Sequence, residues 1–287
     1  MAIDIYGTIT DHIITALEQG TIPWRKPWTG IGPGCISYST GKPYSLLNHL
    51  LLGGVSGEYI TFNQAIAAGG HVRKGEKSHT VVFWKPIEKE NPDTGEKERH
   101  FILRYYNVFH LDQCEGIDPR WAISVKQASD LQPDQKADQV IQDYVARSGV
   151  RLSITASASA YYNPSEDQVV VPELSQYEHL EEFYSTTFHE LTHSTGHVSR
   201  LNRITESAAF GSETYSAEEL VAELGSAFLV NHVGLETVQS FNNSAAYIAG
   251  WLSVLKNDKR LIVTAAGKAE KAVRYILNEK EESDHEV

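Results

Sequence analysis

The pentapeptide His189-Glu190-Leu191-Thr192-His193 carries the clearest chemistry in the chain. Two histidines four residues apart lie on one face of a helix, so both imidazoles can meet one metal ion. The glutamate after the first histidine reaches a water held by that ion. This is the minimal apparatus for metal-assisted hydrolysis of an amide. Three fixed positions also recur by chance, so the surroundings decide. From Glu178 to Thr195 there is no Pro or Gly. Leu180, Tyr184, Phe188 and Leu191 form one apolar stripe, and His189, Glu190 and His193 lie off it. Gly196 then acts as a helix stop. The competing reading is an amphipathic helix whose histidines are merely polar surface.

A second helix offers a third ligand. Ser216 reads as an N-cap, with Glu219 three residues later and Leu220, Leu224, Ala227 and Phe228 as the apolar stripe. Glu219 and Glu223 share a face, where like charges repel until a cation sits between the helices. Glu219 is read as the third protein ligand. Glu223 is read as the carboxylate that hydrogen-bonds a ligand histidine from behind and fixes its tautomer. The exchange of these two roles is the alternative. Glu218 is read as solvent-facing. Three protein ligands leave a fourth position for water, whose pKa zinc lowers towards about 7. Glu190 would accept the proton and pass it to the leaving amine. Tyr215 and His197 are candidates to face the oxyanion. Gly196 stands at the glycine of the longer metzincin motif, but the third histidine would fall at Ser199, and His197 is out of step. A glutamate-liganded zincin fits better. Zinc is the default ion, and a site of two histidines and one glutamate also accepts manganese, cobalt or nickel.

These helices need a body to hold them. The chain has 287 residues, 41% of them apolar, enough for two domains with real cores. Cys35 and Cys114 are too few for a disulfide framework or a zinc finger. The first residues lack a signal-peptide pattern, and no apolar run approaches the roughly 20 residues that cross a bilayer. A cytoplasmic protein with no membrane partner is the expectation. The net charge of −12 is unevenly placed: residues 1–120 carry 12 Lys+Arg and 13 Asp+Glu, and residues 121–287 carry 13 and 24. The acidity therefore lies in the half with the metal motif. A boundary is expected between Gln113 and Lys136, giving domains 1–125 and 135–287.

The first half has another vocabulary. Ile3 to Gln19 reads as an amphipathic helix, with Ile5, Ile9, Ile13 and Leu17 four residues apart. Next comes Pro23-Trp24-Arg25-Lys26-Pro27-Trp28, with aromatics and cations interleaved and prolines holding the segment extended, and then Lys42 in the turn Thr40-Gly41-Lys42-Pro43. A glycine-flanked loop supplies Arg73, Lys74 and Lys77. Strands are expected over Thr80 to Lys85 and Phe101 to Phe109, with Trp84-Lys85 and Arg104-Tyr105-Tyr106 repeating the pairing of aromatics with cations. Bases stack on exposed rings while Lys and Arg follow phosphates, so this pattern suits single-stranded nucleic acid. The half is nearly neutral, so a binding patch must be local. The DNA-binding candidates are Trp24, Arg25, Lys26, Trp28, Lys42, Arg73, Lys74, Lys77 and Lys85.

The first half resembles the ArdC antirestriction family and the N-terminal part of plasmid TraC-type primases. The residues that carry the likeness are Ile14 to Gly20, Pro23-Trp24, Trp28, Gly41-Lys42-Pro43-Tyr44, Asn48, Thr61-Phe62-Asn63-Gln64-Ala65, Gly69-Gly70, Lys74-Gly75-Glu76-Lys77 and Tyr106-Asn107-Val108-Phe109. The second half is similar to the same family's metallopeptidase half. Here the carriers are Phe188 to His193, Thr195-Gly196-His197, Arg200-Leu201-Asn202-Arg203 and Glu218 to Leu224. It is also similar to the zincin domains of IrrE/ImmA proteins and Spartan-type proteases, whose E-x-x-A pattern maps to Glu219 and Ala222. The resemblance implies an α+β protein of two domains. A small α+β domain would bind single-stranded DNA, and a mainly helical zincin-like domain would follow it. Arg151 to Thr155, Tyr161-Tyr162-Asn163 and Gln168 to Val171 would give that second domain its small sheet. It further implies an antirestriction protein whose peptidase acts on DNA-bound or restriction-related proteins to protect incoming plasmid DNA. The alternative is a non-proteolytic protein that blocks restriction enzymes by coating DNA, with a vestigial or structural metal site.

Overall fold

A computed structural model describes residues 4–19, 35–53, 55–90, 97–121, 133–177, 179–204, 213–235 and 245–279. Helix α1 (Ile5–Glu18) starts where the Asp4 carboxylate accepts from the Gly7 N–H at 3.0 Å. Ile9, Ile13 and Leu17, the predicted stripe, are buried. β1 (Cys35–Ser37) leads through the Gly41 turn into α2 (Leu46–Leu51), β2 (Gly57–Thr61), α3 (Phe62–Ala67) and β3 (His71–Val72). The hairpin strands β4 (His79–Glu90) and β5 (Lys97–His110) run longer than their sequence spans, because charged residues continue the pairing past the apolar segment to Glu90↔Lys97. β6 (Cys114–Glu115) pairs with β3.

The main sheet has the order β1-β2-β5-β4, parallel at β1–β2 and otherwise antiparallel. Strand alternation sends Val81 into a small core with Cys35, Tyr44, Tyr59 and Val108, and sends Val82 to the opposite face, against α1 and α2. Buried Asn48 in α2 fixes that packing. Its side-chain amide donates to the Val82 carbonyl and accepts from the Val82 N–H, both at 2.8 Å, as a neighbouring strand would. Gly41 is left-handed at φ 69°, and a Cβ there would lie 2.7 Å from the Trp121 ring, so the turn needs glycine twice over.

The second half begins with α4 (Pro133–Ser148), then β7 (Arg151–Thr155), β8 (Tyr161–Asn163) and β9 (Gln168–Pro172) in a sheet of order β7-β9-β8. The three strands fall on the segments predicted for them. Asn163 makes the turn between β8 and β9, accepting from the Ser165 N–H at 3.0 Å. Helices α5 (Leu180–Ser194), α6 (Glu213–Val233), α7 (Ala245–Asn257) and α8 (Leu261–Leu277) follow. α6 begins at Glu213, three residues before the expected cap, so Ser216 is inside the helix rather than its cap. Among the described residues no helix is long and apolar enough to cross a membrane.

The two halves share a core. Ile9, Ile13 and Leu17 of α1 and Leu46, Leu47, Leu50 and Leu51 of α2 join Leu220, Val221 and Leu224 of α6, Trp251 and Leu255 of α7, and the Leu261–Ala269 stretch of α8 in one buried cluster. A separate cluster under the small sheet combines Val169, Val171, Phe183, Phe188, Leu191, Leu229 and Val230. Both clusters press on α6, which fixes its position on two sides.

Candidate metal centre

The centre forms where α5 passes α6, and small residues set the approach. A Cβ on Gly225 would lie 2.6 Å from the Thr192 methyl and 2.8 Å from its hydroxyl. The Ser226 hydroxyl donates to the Ser185 carbonyl at 2.7 Å. This closeness lets a glutamate of α6 reach across to α5. His189 Nε2 and His193 Nε2 are 3.1 Å apart. Glu219 Oε2 is 3.5 Å from His189 Nε2, and Glu219 Oε1 is 3.5 Å from His193 Nε2. One ligand atom from each of the three lies within 4.8 Å of the others.

Ligands about 2.0–2.2 Å from one ion at tetrahedral angles lie roughly 3.3–3.5 Å from each other. The triad comes close to that spacing, with each histidine nearest a different oxygen of Glu219, and two imidazoles with one carboxylate are a donor set for a divalent transition ion. The protein groups alone hold one another. Burial pushes the Glu219 carboxylate up, but hydrogen bonds from both histidines outweigh it and hold the group well below the usual carboxylate range. Burial works against the charged form of His193, yet Glu218 and Glu219 raise its pKa to about 10.

Glu190 is 8% exposed. Burial raises its pKa, opposed by the neighbouring His189 and His193 and supported by Glu219. The Tyr162 backbone on strand β8 acts weakly the other way, favouring the charged form. A carboxylate pushed towards neutrality beside a metal triad is suited to taking and returning a proton.

The carboxylate behind the ligand ring differs from the sequence reading. Glu218, expected in solvent, has its Oε1 3.3 Å from His193 Nδ1, the place expected of Glu223. Consecutive helix residues point about 100° apart, so Glu218 and Glu219 can bracket one imidazole, and an i, i+4 reading misses such a pair. Arg203 holds Glu218 with two bonds, Nε to Oε2 at 2.8 Å and Nη2 to Oε1 at 2.7 Å.

Arg200, also missed as a site residue, is 1% exposed. Its guanidinium donates to both oxygens of Asp167, to the Tyr162 hydroxyl and to the Ser194 carbonyl, tying the end of α5 to the β8–β9 turn. The available signal was the motif Arg200-Leu201-Asn202-Arg203, which carried resemblance without an assigned role. His197 bonds within its own loop, its Nδ1 2.8 Å from the Ser199 hydroxyl. The Tyr215 side chain lies outside the described residues.

The DNA candidates scatter differently. Trp24, Arg25, Lys26 and Trp28 lie outside the described residues, as does the Lys85 side chain. Lys42 is exposed in the Gly41 turn, beside Trp121, and Arg120 stacks over the rings of Tyr38 and Trp121 at 6.0 and 5.5 Å. Arg73, Lys74 and Lys77 share one strap, which Gln113 closes by donating to Glu76 and to the Lys77 carbonyl. Arg73 is paired with Glu76 at 2.9 Å. The ammonium groups of Lys74 and Lys77 are exposed and have no partner among the described residues.

Two protein families match the chain, one in each half. A family described as the N-terminal domain of anti-restriction factor ArdC matches residues 3–109, and a zincin-like metallopeptidase family matches residues 139–268. DNA primase TraC of Escherichia coli is 32% identical over 294 residues, covering 95% of this chain. The chain spans only 20% of that primase's length. The uncharacterized protein y4eC of Sinorhizobium fredii is 32% identical over 290 residues, covering 95% of this chain and 91% of that protein. The crystal structure of antirestriction protein ArdC from the R388 plasmid, metal-free, matches with a TM-score of 0.75 and 36% identity, over 97% of this chain and 100% of that one. Its Mn(II)-bound structure matches with a TM-score of 0.75 and 35% identity, over 96% and 98%.

Proposed function

The chain belongs to the ArdC antirestriction family, and from that premise we propose that it is a metal-dependent peptidase brought to its substrates by single-stranded DNA. The observation that carries the reading is the convergence of His189, His193 and Glu219 with buried Glu190 beside them. His189, His193 and Glu219 would hold a divalent ion, manganese as in the R388 relative or zinc. When bound, that ion acidifies a water and polarises the scissile carbonyl. Glu190 takes the proton from the attacking water and delivers it to the leaving nitrogen. The Tyr162 backbone of β8 is near enough to Glu190 to favour its charged form. β8 is an edge strand, so an extended substrate segment can pair along it and pass in front of Glu190.

The N-terminal half would supply the DNA grip through the Lys74–Lys77 strap and the aromatic–cation cluster of Tyr38, Trp121, Arg120 and Lys42. Tethering on DNA raises the local concentration of DNA-bound proteins at the peptidase. The setting would be the cytoplasm during entry of plasmid DNA, with proteins that attack that DNA as targets.

Glu190→Ala tests the proposal. It should abolish cleavage of a DNA-bound protein while metal and DNA binding stay at wild-type levels. If protection of incoming DNA survives the substitution intact, protection works by occupancy and the proteolytic reading of it is wrong.

A further inference from the structure

We propose that Arg203 is a positioning residue of the metal centre. Through Glu218 it fixes the tautomer and tilt of His193, so that Nε2 faces the ion. The inference rests on the metal reading above.

The guanidinium is 6% exposed and its contacts leave it little freedom. Two bonds fork onto Glu218. Nη1 donates to the Thr195 hydroxyl at 3.0 Å, and Nη2 donates to the Thr192 carbonyl at 2.9 Å. Thr192 and Thr195 belong to the end of α5 and Glu218 to α6. Arg203 thus spans both helices that supply ligands, and it sits behind His193 rather than at the ion. Its loop is held in turn: Gly196 leaves space for Ile204, which a Cβ would meet at 2.7 Å, and the Gly196 carbonyl accepts from the N–H groups of Arg203 and Ile204 at 2.8 Å each.

Glu218 Oε1 receives both Arg203 Nη2 and His193 Nδ1. A carboxylate forked to an arginine only accepts, so the shared oxygen selects the ring form with its proton on Nδ1. With Nδ1 so committed, Nε2 is the nitrogen that gives up its proton to an ion, on the side facing His189 and Glu219. A lysine would supply the charge without the fork, and the carboxylate would be free to turn. His189 has no such support: among the described residues its Nδ1 has no hydrogen-bond partner.

The test combines ring-nitrogen NMR on histidine-labelled full-length protein loaded with Zn(II) and chelator competition for Zn(II) and Mn(II). In the wild type, His193 should carry its proton on Nδ1 and the ion on Nε2. Arg203→Met should weaken both ions about tenfold to a hundredfold, with Arg203→Lys in between. A purely structural staple would lower thermal stability and leave affinity and tautomer alone. If folded Arg203→Lys binds both ions within twofold of wild type, or wild-type His193 binds through Nδ1, the proposal is overturned. Should Arg203→Met fail to fold, the lysine variant and the wild-type tautomer still decide. A wild type that binds neither ion removes the metal reading itself, and this inference with it.

Discussion

The α5–α6 crossing and the Arg73–Lys77 strap are both polar, but they use polarity in opposite ways. Around the crossing, charged groups answer one another: Glu219 the two histidines, Glu218 His193 and Arg203, Arg200 Asp167. Among the described residues, Arg73 is the strap cation with an ion-pair partner, while Lys74 and Lys77 stand exposed, and on the β4–β5 hairpin Tyr105 and Tyr106 are each 40% exposed. A centre proposed to hold a small ion would need fixed atoms, and partners behind its ligands would supply them. A surface that follows a flexible polyanion needs reachable charge, and pairing would cancel it.

The comparison breaks first if the two regions are mechanically independent. Leu224 of α6 lies in the core shared with α1 and α2. Leu224→Ala should cost about 2–5 kcal/mol. Hydrogen exchange should show amides of α1 and α6 losing protection together. If α1 kept wild-type protection while α6 opened, the halves would fold as separate units despite the shared cluster.

The approach of α5 and α6 sharpens the picture next. Gly225→Ala forces a methyl against Thr192, at about 1–3 kcal/mol of strain. The helices must part, and Glu219 moves away from the histidines. Metal affinity should fall about tenfold, while single-stranded DNA affinity stays the same. Titration of each ligand into the variant checks both halves of that statement, and an equal loss on both sides would contradict it.

These two sites also show what a sequence can reveal. His189, His193 and Glu219 were readable because helix geometry turns spacing into direction, and each helix needs only its own residues to do so. The β7–β9 segments were placed through the resemblance to zincin domains, with the Asn163 turn as the local signal between the last two. Glu218 was misplaced because its partner, Arg203, comes from a loop whose path depends on Gly196 and Ile204 meeting in space. The shared core was invisible for the same reason in larger form. Ile9 and Leu224 are far apart in the chain, and an apolar stripe does not say which other stripe covers it. On the strap, Arg73, Lys74 and Lys77 look alike in sequence, and only the Glu76 contact separates the first from the others.

The pH response of the metal centre is a smaller effect with a definite sign. His193 stays protonated up to about pH 10, through the Glu218 and Glu219 bonds that overcome its burial. An ion must displace that proton, so affinity should climb as pH rises through the neutral range, by up to about tenfold per unit. Glu219 is already ionised well below neutrality and adds no slope. Competition titrations at three pH values from 6 to 8 would show it. A flat profile would mean that His193 is neutral before the ion arrives.

The strap gives the smallest and most discriminating effect. Lys74→Ala with Lys77→Ala removes two exposed charges, and each phosphate contact on a single strand contributes about 0.7 to the slope of log affinity against log salt. The double variant should flatten that slope by roughly 1.4 and leave metal affinity unchanged. Arg73→Ala should change the slope less, because Glu76 already spends part of its charge, at 2.9 Å. It should also free Gln113 from a Glu76 carboxylate that no longer has a cation beside it, so any loss would come with a loosened strap. If Arg73→Ala flattened the slope as much as the two lysines together, pairing would not decide which cations reach the phosphates, and the contrast between the two regions would be one of degree.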